Sequence, residues 1–303
     1  MSRKSKMMSS LASQIRSLWK PDPYSILRPP KDEFYISEET WVQTLLAMIH
    51  GMPLLITGPA GSGKTELLYR AAKALRRHLA PYNFGAMTEP RSSLIGVTHF
   101  DPNQGTIFQE SRFVRELRKP YTVMLLDEIN RASHEAQNIL VTLLDDQRYI
   151  SLDESEDINI VHPAEGVCFA ATANIGAEYA GTNEFDWAIQ NRFQIVIQMN
   201  FLYAQQEANV LKKRYPGIQS NDAMRFCRTA ERQRTMHRDG EFSTPISTRS
   251  LLAAAKQCAA GIPVDMAFKF CVLNQFSGIG GVVSDREKLA EIWRFSSIEK
   301  RAG

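Results

Sequence analysis

The octapeptide Gly58-Pro59-Ala60-Gly61-Ser62-Gly63-Lys64-Thr65 follows the apolar run Pro53-Leu54-Leu55-Ile56. It opens a stretch in which Leu67, Leu68, Ala71, Ala72 and Leu75 recur at helical spacing. Its pattern, G-x-x-x-x-G-K-[ST], is that of a loop wrapped around nucleotide phosphates. Glycines let backbone N–H groups turn inward on an anion, and the N-terminus of the following helix adds the positive end of its dipole. Lys64 is expected to reach the β- and γ-phosphates, and the Thr65 hydroxyl to hold Mg²⁺. A plain glycine-rich turn from strand to helix would have no use for the Lys-Thr pair that ends this one.

A second segment supplies carboxylates. Thr122-Val123-Met124-Leu125-Leu126 is continuously apolar, reads as a strand buried on both faces of a parallel sheet, and ends in Asp127-Glu128. Beside a phosphate loop such a pair divides its labour. Asp127 is expected to orient the Mg²⁺ shell and Glu128 to polarise the water that attacks the γ-phosphate. Enzymes that pass the phosphoryl group to a substrate hydroxyl need no such glutamate, so hydrolysis is favoured over transfer.

The elements that must hold these residues can be read around them. Ser37 is placed to cap a helix with Glu38 and Glu39 in its first turn, Trp41, Val42, Leu45, Leu46 and Ile49 on its apolar face, and Gly51 at its end. Cys168-Phe169-Ala170-Ala171-Thr172-Ala173-Asn174 and Gln194-Ile195-Val196-Ile197-Gln198 read as further strands. Tyr149 to Leu152 and Ile158 to Val161 alternate in polarity around Asp153-Glu154-Ser155-Glu156-Asp157, the pattern of a β-hairpin with a charged tip. From Phe201 onward only helices are expected, through Ala204–Lys213, Asp222–Thr235, Ser250–Ala259, Val264–Phe276 and Ser284–Phe295.

Composition is that of an ordinary soluble protein. The 303 residues are 44% hydrophobic and 23% charged, enough for a large core and two domains. A net charge of +3 is too mild to require nucleic acid. No apolar run reaches the length of a membrane span, Gln14 and Arg16 interrupt any secretory core, and the cytosol is the expected compartment. Cys168, Cys227, Cys258 and Cys271 form no C-x-x-C pair and read as reduced apolar fillers. The six histidines show no spacing for a metal site. Residues 1–31 form a basic arm in which Arg3, Lys4, Lys6, Arg16 and Lys20 meet no acid up to Lys20. That arm reads as a docking segment, a loosely ordered terminus or a helix packed on a neighbouring subunit.

The run Leu125-Leu126-Asp127-Glu128-Ile129-Asn130-Arg131-Ala132 resembles the Walker B signature of MoxR-type AAA+ ATPases, in the dynein-related group that also holds NorQ, CbbQ and cobaltochelatase small subunits. The segment ending at Asn174 is similar to that family's sensor 1, Asn191-Arg192-Phe193 to its arginine-finger region, and Ile246-Ser247-Thr248-Arg249 to its sensor 2. The motifs keep the family's order from 58 to 249. The resemblance implies ATP with Mg²⁺ as the ligand, Asn174 beside the attacking water, Arg192 on the neighbouring subunit's ATP and Arg249 on the γ-phosphate. The residues alone leave other roles open: Asn174 as a turn cap, Arg192 as a surface ion pair and Arg249 as a solvated helix start, although arginine in a first turn opposes the helix dipole. Arg131 reads either as a contact to a neighbour or as cover for its own helix.

The fold so implied is an α/β P-loop AAA+ core, residues 32–200, with a five-stranded parallel sheet flanked by helices, followed by a small all-α lid, residues 201–303, with ATP between the two. Within the core, Thr88–Gly96 resembles the family's second helix, Val97–Ile107 an insert in it, and 149–161 the hairpin before sensor 1. The family further implies a hexameric ring that remodels, activates or loads a metal or cofactor into a protein client. It also implies a partner carrying a von Willebrand factor A domain, whose Asp-x-Ser-x-Ser motif does not occur in this sequence. Two alternatives are a nucleic-acid motor akin to the McrB branch, which the acidic hairpin tip disfavours, and a nucleotide-gated scaffold with little turnover.

Overall fold

The computed structural model describes residues 26–30, 34–103, 105–153, 160–174 and 187–298. Residues 1–25 of the basic arm, the hairpin tip 154–157 and Glu178–Thr182 lie outside the described residues. In chain order the elements of the first part are α1 (Glu38–His50), β1 (Leu54–Gly58), α2 (Lys64–Ala74), β2 (Leu79–Asn83), α3 (Pro90–Leu94), β3 (Gly96–Asp101), β4 (Gly105–Glu110), α4 (Arg112–Leu117) and β5 (Val123–Asp127). They continue with α5 (His134–Leu144), β6 (Ile150–Ser151), β7 (Ile160–Val161), β8 (Cys168–Asn174), α6 (Trp187–Gln190) and β9 (Ile195–Gln198). Five helices follow: α7 (Ala204–Arg214), α8 (Ser220–Arg238), α9 (Thr248–Ala259), α10 (Val264–Cys271) and α11 (Asp285–Ile298).

The chain divides into two compact units. The first takes in Ile36–Gly58 and Gly63–Met199; the second, the residues from Asn200 onward with the short segments Pro30–Tyr35 and Pro59–Ser62. The first is organised on a five-stranded parallel sheet in the order β2-β5-β8-β1-β9. Its middle strands are the ones with the most apolar sequences: every residue of β1 is buried, as are Val123–Leu126 of β5 and Cys168–Ala173 of β8. β2, Leu79-Ala80-Pro81-Tyr82-Asn83, pairs only with β5 among the described residues, and an edge is where a strand tolerates a proline that has no N–H to donate. A core of Leu55, Phe84, Phe113, Leu126, Leu140 and Phe169, among others, fills the space between sheet and helices.

Local chemistry sets the ends of α1. The Ser37 hydroxyl accepts from the Thr40 N–H at 3.2 Å, Glu38 and Glu39 stand at the positive end of the dipole, and Gly51 closes the helix at φ 65°. Its buried face is shifted from the expected stripe: Thr44, Ala47 and Met48 are buried with Trp41, Val42 and Leu45, whereas Leu46 and Ile49 are only half-buried. Two antiparallel pairs stand apart from this sheet among the described residues: β3 with β4, from Gly96↔Glu110 to Asp101↔Gly105, and β6 with β7.

The second unit is helical, with its own core. Phe226, Phe268 and Trp293 stack inside it, the last two with ring centroids 3.9 Å apart, and the Arg225 guanidinium lies 3.6 Å over the Trp293 ring. Glu207 of α7 and Arg234 of α8 form a buried, bidentate ion pair at 2.8 and 3.0 Å.

Candidate functional site

β1 ends in Gly58, where the chain turns at φ 147°, and the loop passes Gly61 at φ 77° before Gly63, at φ 94°, caps α2. Side chains are strained in that half of backbone space, which is why glycine occupies the three positions. At Gly61 a Cβ would also come 3.1 Å from the Cβ of Ser247, just before α9 in the same unit. Lys64 opens α2, is 6% exposed, and its ammonium donates to the Gly58 carbonyl at 2.9 Å. Burial pushes its pKa down to about 8, against the pull of Asp127 and Glu128. The Thr65 hydroxyl donates to Asp127 Oδ1 at 3.0 Å.

These groups fit a triphosphate with a hard cation. The loop aims a helix N-terminus and a buried ammonium at one place, and Ser62 Oγ is buried with no hydrogen-bond partner among the described residues. Thr65 and Asp127 are oxygen donors of the kind Mg²⁺ takes, and they already touch.

The parallel register then brings the other predicted groups to the same edge. Gly58 stands opposite Asn174, so the start of the loop and the end of β8 are neighbours. β5 runs along the other side of β8 and delivers Asp127 and Glu128 at its tip. Glu128 sits in the left-handed region at φ 56°, a conformation uncommon for a residue with a side chain. Its carboxylate pairs with Arg131 at 3.1 Å. The space for this pair is left by Gly85, where a Cβ would fall inside the van der Waals envelope of Glu128 Oε2 and 3.2 Å from Arg131 Cδ. Arg131 therefore turns back on Glu128, a role not foreseen from its place in the motif.

Of the remaining two arginines, Arg249 follows Thr248 beside the loop, its backbone N 3.8 Å from where a Cβ on Gly61 would lie. Arg192, just after α6, is bonded within its own chain: Nη1 donates to the Ala188 carbonyl at 2.5 Å and Nη2 lies 3.4 Å from Asp145 Oδ2. Its Nε is buried without a hydrogen-bond partner among the described residues. Arg249 is exposed in the first turn of α9, in the second unit.

Two polar residues at this edge were missed in the sequence, and both are buried. Thr172, 1% exposed, accepts from the Glu128 N–H at 3.1 Å and donates to Asp127. Asn130, 4% exposed, donates to the Asn174 carbonyl at 3.0 Å and accepts from its N–H at 3.3 Å. A threonine in an otherwise small and apolar strand was the one available signal for the first.

Residues 53–211 match the model of the AAA domain, dynein-related subfamily, and residues 207–287 that of the CbbQ/NirQ/NorQ C-terminal region. BssE of Thauera aromatica, a protein named for a chaperone role, is 30% identical over 243 residues, which cover 78% of this chain and 82% of that one. The aerobic cobaltochelatase subunit CobS of a Sinorhizobium species is 20% identical over 255 residues, 80% of this chain and 76% of its own. Midasin of Giardia intestinalis is 34% identical over 146 residues, 48% of this chain and 3% of that protein.

Proposed function

We propose, because this chain belongs to the dynein-related subfamily of AAA domain ATPases, that it works as a ring, hexameric in our reading, coupling ATP turnover to remodelling, activation or metal or cofactor loading of a protein client. Its chemistry is ATP hydrolysis. The observation that carries the reading is the convergence of three adjacent strand ends. β1 brings Lys64 and Thr65, β5 brings Asp127 and Glu128, and β8 brings Asn174.

In the proposed mechanism the loop from Gly58 to Gly63 and the Lys64 ammonium bind the phosphate chain. Thr65 and Asp127 would hold Mg²⁺, which would supply charge neutralisation on the phosphates. Glu128 takes the proton of the attacking water, and Asn174 orients that water. Arg249 meets the γ-phosphate. Arg192 acts on the ATP of a neighbouring subunit, and an arginine supplied in trans is worth on the order of a thousandfold in rate. Hydrolysis is then slow in a single chain and switched on by assembly. The match to the CbbQ/NirQ/NorQ C-terminal region, with relatives named as a chaperone and a cobaltochelatase subunit, supports a protein client. A von Willebrand factor A domain on a separate chain is the partner this reading expects.

ATP turnover measured against protein concentration, beside mass photometry with and without ATP, tests this for the wild type, Glu128→Gln and Arg192→Ala. The expected result is activity that rises with ring formation and two variants that assemble without hydrolysing. A monomer hydrolysing at full rate, with Arg192→Ala silent, would overturn the ring.

A further inference from the structure

β8 keeps its backbone pairing to β1 as far as Gly58↔Asn174, whereas its ladder with β5 stops at Leu126↔Ala171. The backbone bonds between β5 and β8 therefore end one residue before Asp127 and Glu128. A Glu128 in the left-handed region cannot continue a parallel ladder, and a backbone N–H near a buried edge needs another partner. Two side chains take over. Thr172 spans Asp127 and the Glu128 N–H with one hydroxyl, and Asn130 imitates a peptide group toward both the N–H and the carbonyl of Asn174.

We propose that Thr172 and Asn130 are positioning residues that fix the spacing between Glu128 and Asn174, and so the place of the attacking water. Neither touches a reacting atom. The proposal rests on the reading of Glu128 and Asn174 as the water-placing pair. Thr172 holds Glu128 by its backbone N–H, and the Glu128 carboxylate is held separately, by Arg131. Asn130 ties the segment that follows Glu128 to the tip of β8. Together they replace a rigid ladder with four side-chain bonds across the place where the chain must open for chemistry.

The test uses the full chain with Thr172→Val, Thr172→Ser and Asn130→Asp, with Glu128→Gln and Asn174→Ala as references. Asn130→Asp keeps the acceptor for the Asn174 N–H and sets a carboxylate oxygen against its carbonyl. Single-turnover rate at saturating ATP, affinity for a fluorescent ATP analogue, and melting temperature are read for each. A misplacement of this kind can cost up to about a hundredfold, so Thr172→Val and Asn130→Asp are expected to lose at least about tenfold in rate. Affinity should stay within about twofold in Asn130→Asp, because the Asn130 side chain is bonded to Asn174 and not to the groups assigned to the phosphates or Mg²⁺. Thr172→Ser should return to within about threefold of wild type, which a purely packing role for the methyl group would not produce.

Wild-type rates in both Thr172→Val and Asn130→Asp, beside slow Glu128→Gln and Asn174→Ala, overturn the positioning role and leave the site reading intact. A rate and an affinity that fall together in Asn130→Asp also overturn it. Full activity in Glu128→Gln and Asn174→Ala would overturn the site reading and this proposal with it. If Thr172→Val does not fold, Asn130→Asp decides alone.

Discussion

Glu128 Oε2 lies 3.1 Å from Nη1 of Arg131, and the two side chains occupy the space left open by Gly85. The side chain that would serve as the base is therefore held to a cation three residues on. It lies beside the side chain of Asn83, which accepts from the Gly85 N–H at 2.8 Å.

Arg131→Ala is expected to raise the basal ATPase rate by releasing Glu128. Both side chains are partly exposed, and such a pair is worth at most about 1 kcal/mol, so the rise is limited to about fivefold in kcat with KM unchanged. Gly85→Ala should act in the same direction, since the added methyl meets the far end of a flexible side chain. Steady-state kinetics decides: a fall in kcat would mean that Arg131 assists the chemistry.

ATP affinity should weaken as pH rises above about 8, where the Lys64 ammonium of the nucleotide-free protein starts to lose its proton. Phosphate favours the charged form, so binding above that pH takes up a proton. Calorimetry at pH 9 in two buffers of different ionisation enthalpy reads the uptake, and Lys64→Met should abolish it together with binding. For the folding of the nucleotide-free protein the sign is opposite. The folded pKa lies below the unfolded one, the unfolded chain holds more protons between the two, and the Lys64 contribution grows as pH rises from about 8.

Glu116 sets an acid limb to stability. Burial pushes its pKa up, but Lys119 at 2.9 Å, His78 at 3.0 Å and Arg112 at 4.0 Å more than offset this and hold it below the usual carboxylate range. Its contribution is therefore complete above the unfolded carboxylate pKa and is lost as pH falls through the lowered folded value. Thermal melts across pH 3 to 7 should show a shallower acid limb for Glu116→Gln than for wild type; parallel limbs would count against the assignment.

Breaking the buried pair of Glu207 and Arg234 should be expensive. Glu207 also accepts from the Thr248 hydroxyl at 2.5 Å, and Arg234 donates to the Ile246 carbonyl at 2.8 Å and lies 3.8 Å over the Phe201 ring. Glu207→Ala strands a buried guanidinium and is predicted to cost about 3 to 5 kcal/mol in urea denaturation. The double variant Glu207→Leu with Arg234→Met should lose less than either single charge removal. Additive losses would show that the partners do not share one desolvated pair.

What the sequence determined by itself was whatever a few neighbouring residues can encode. Glycines at 58, 61 and 63 with Lys64-Thr65 declare a loop and its chemistry, because backbone freedom and the functional side chains lie within eight residues. Ser37 and Gly51 declare the ends of α1, and the apolar runs declare β1, β5 and β8, because caps and periodicity are local. β2 was harder to see, since an edge strand with a proline and half-exposed residues has neither period nor propensity. Thr172 and Asn130 were invisible as a pair of ties. Each meets a partner 44 residues away, a meeting decided by the parallel register of β5 and β8 and by the point where that register ends. The same holds for Arg131, whose choice of Glu128 depends on the space at Gly85. Which buried polar groups meet is settled by the packing of distant strands, and only the tertiary structure carries that information.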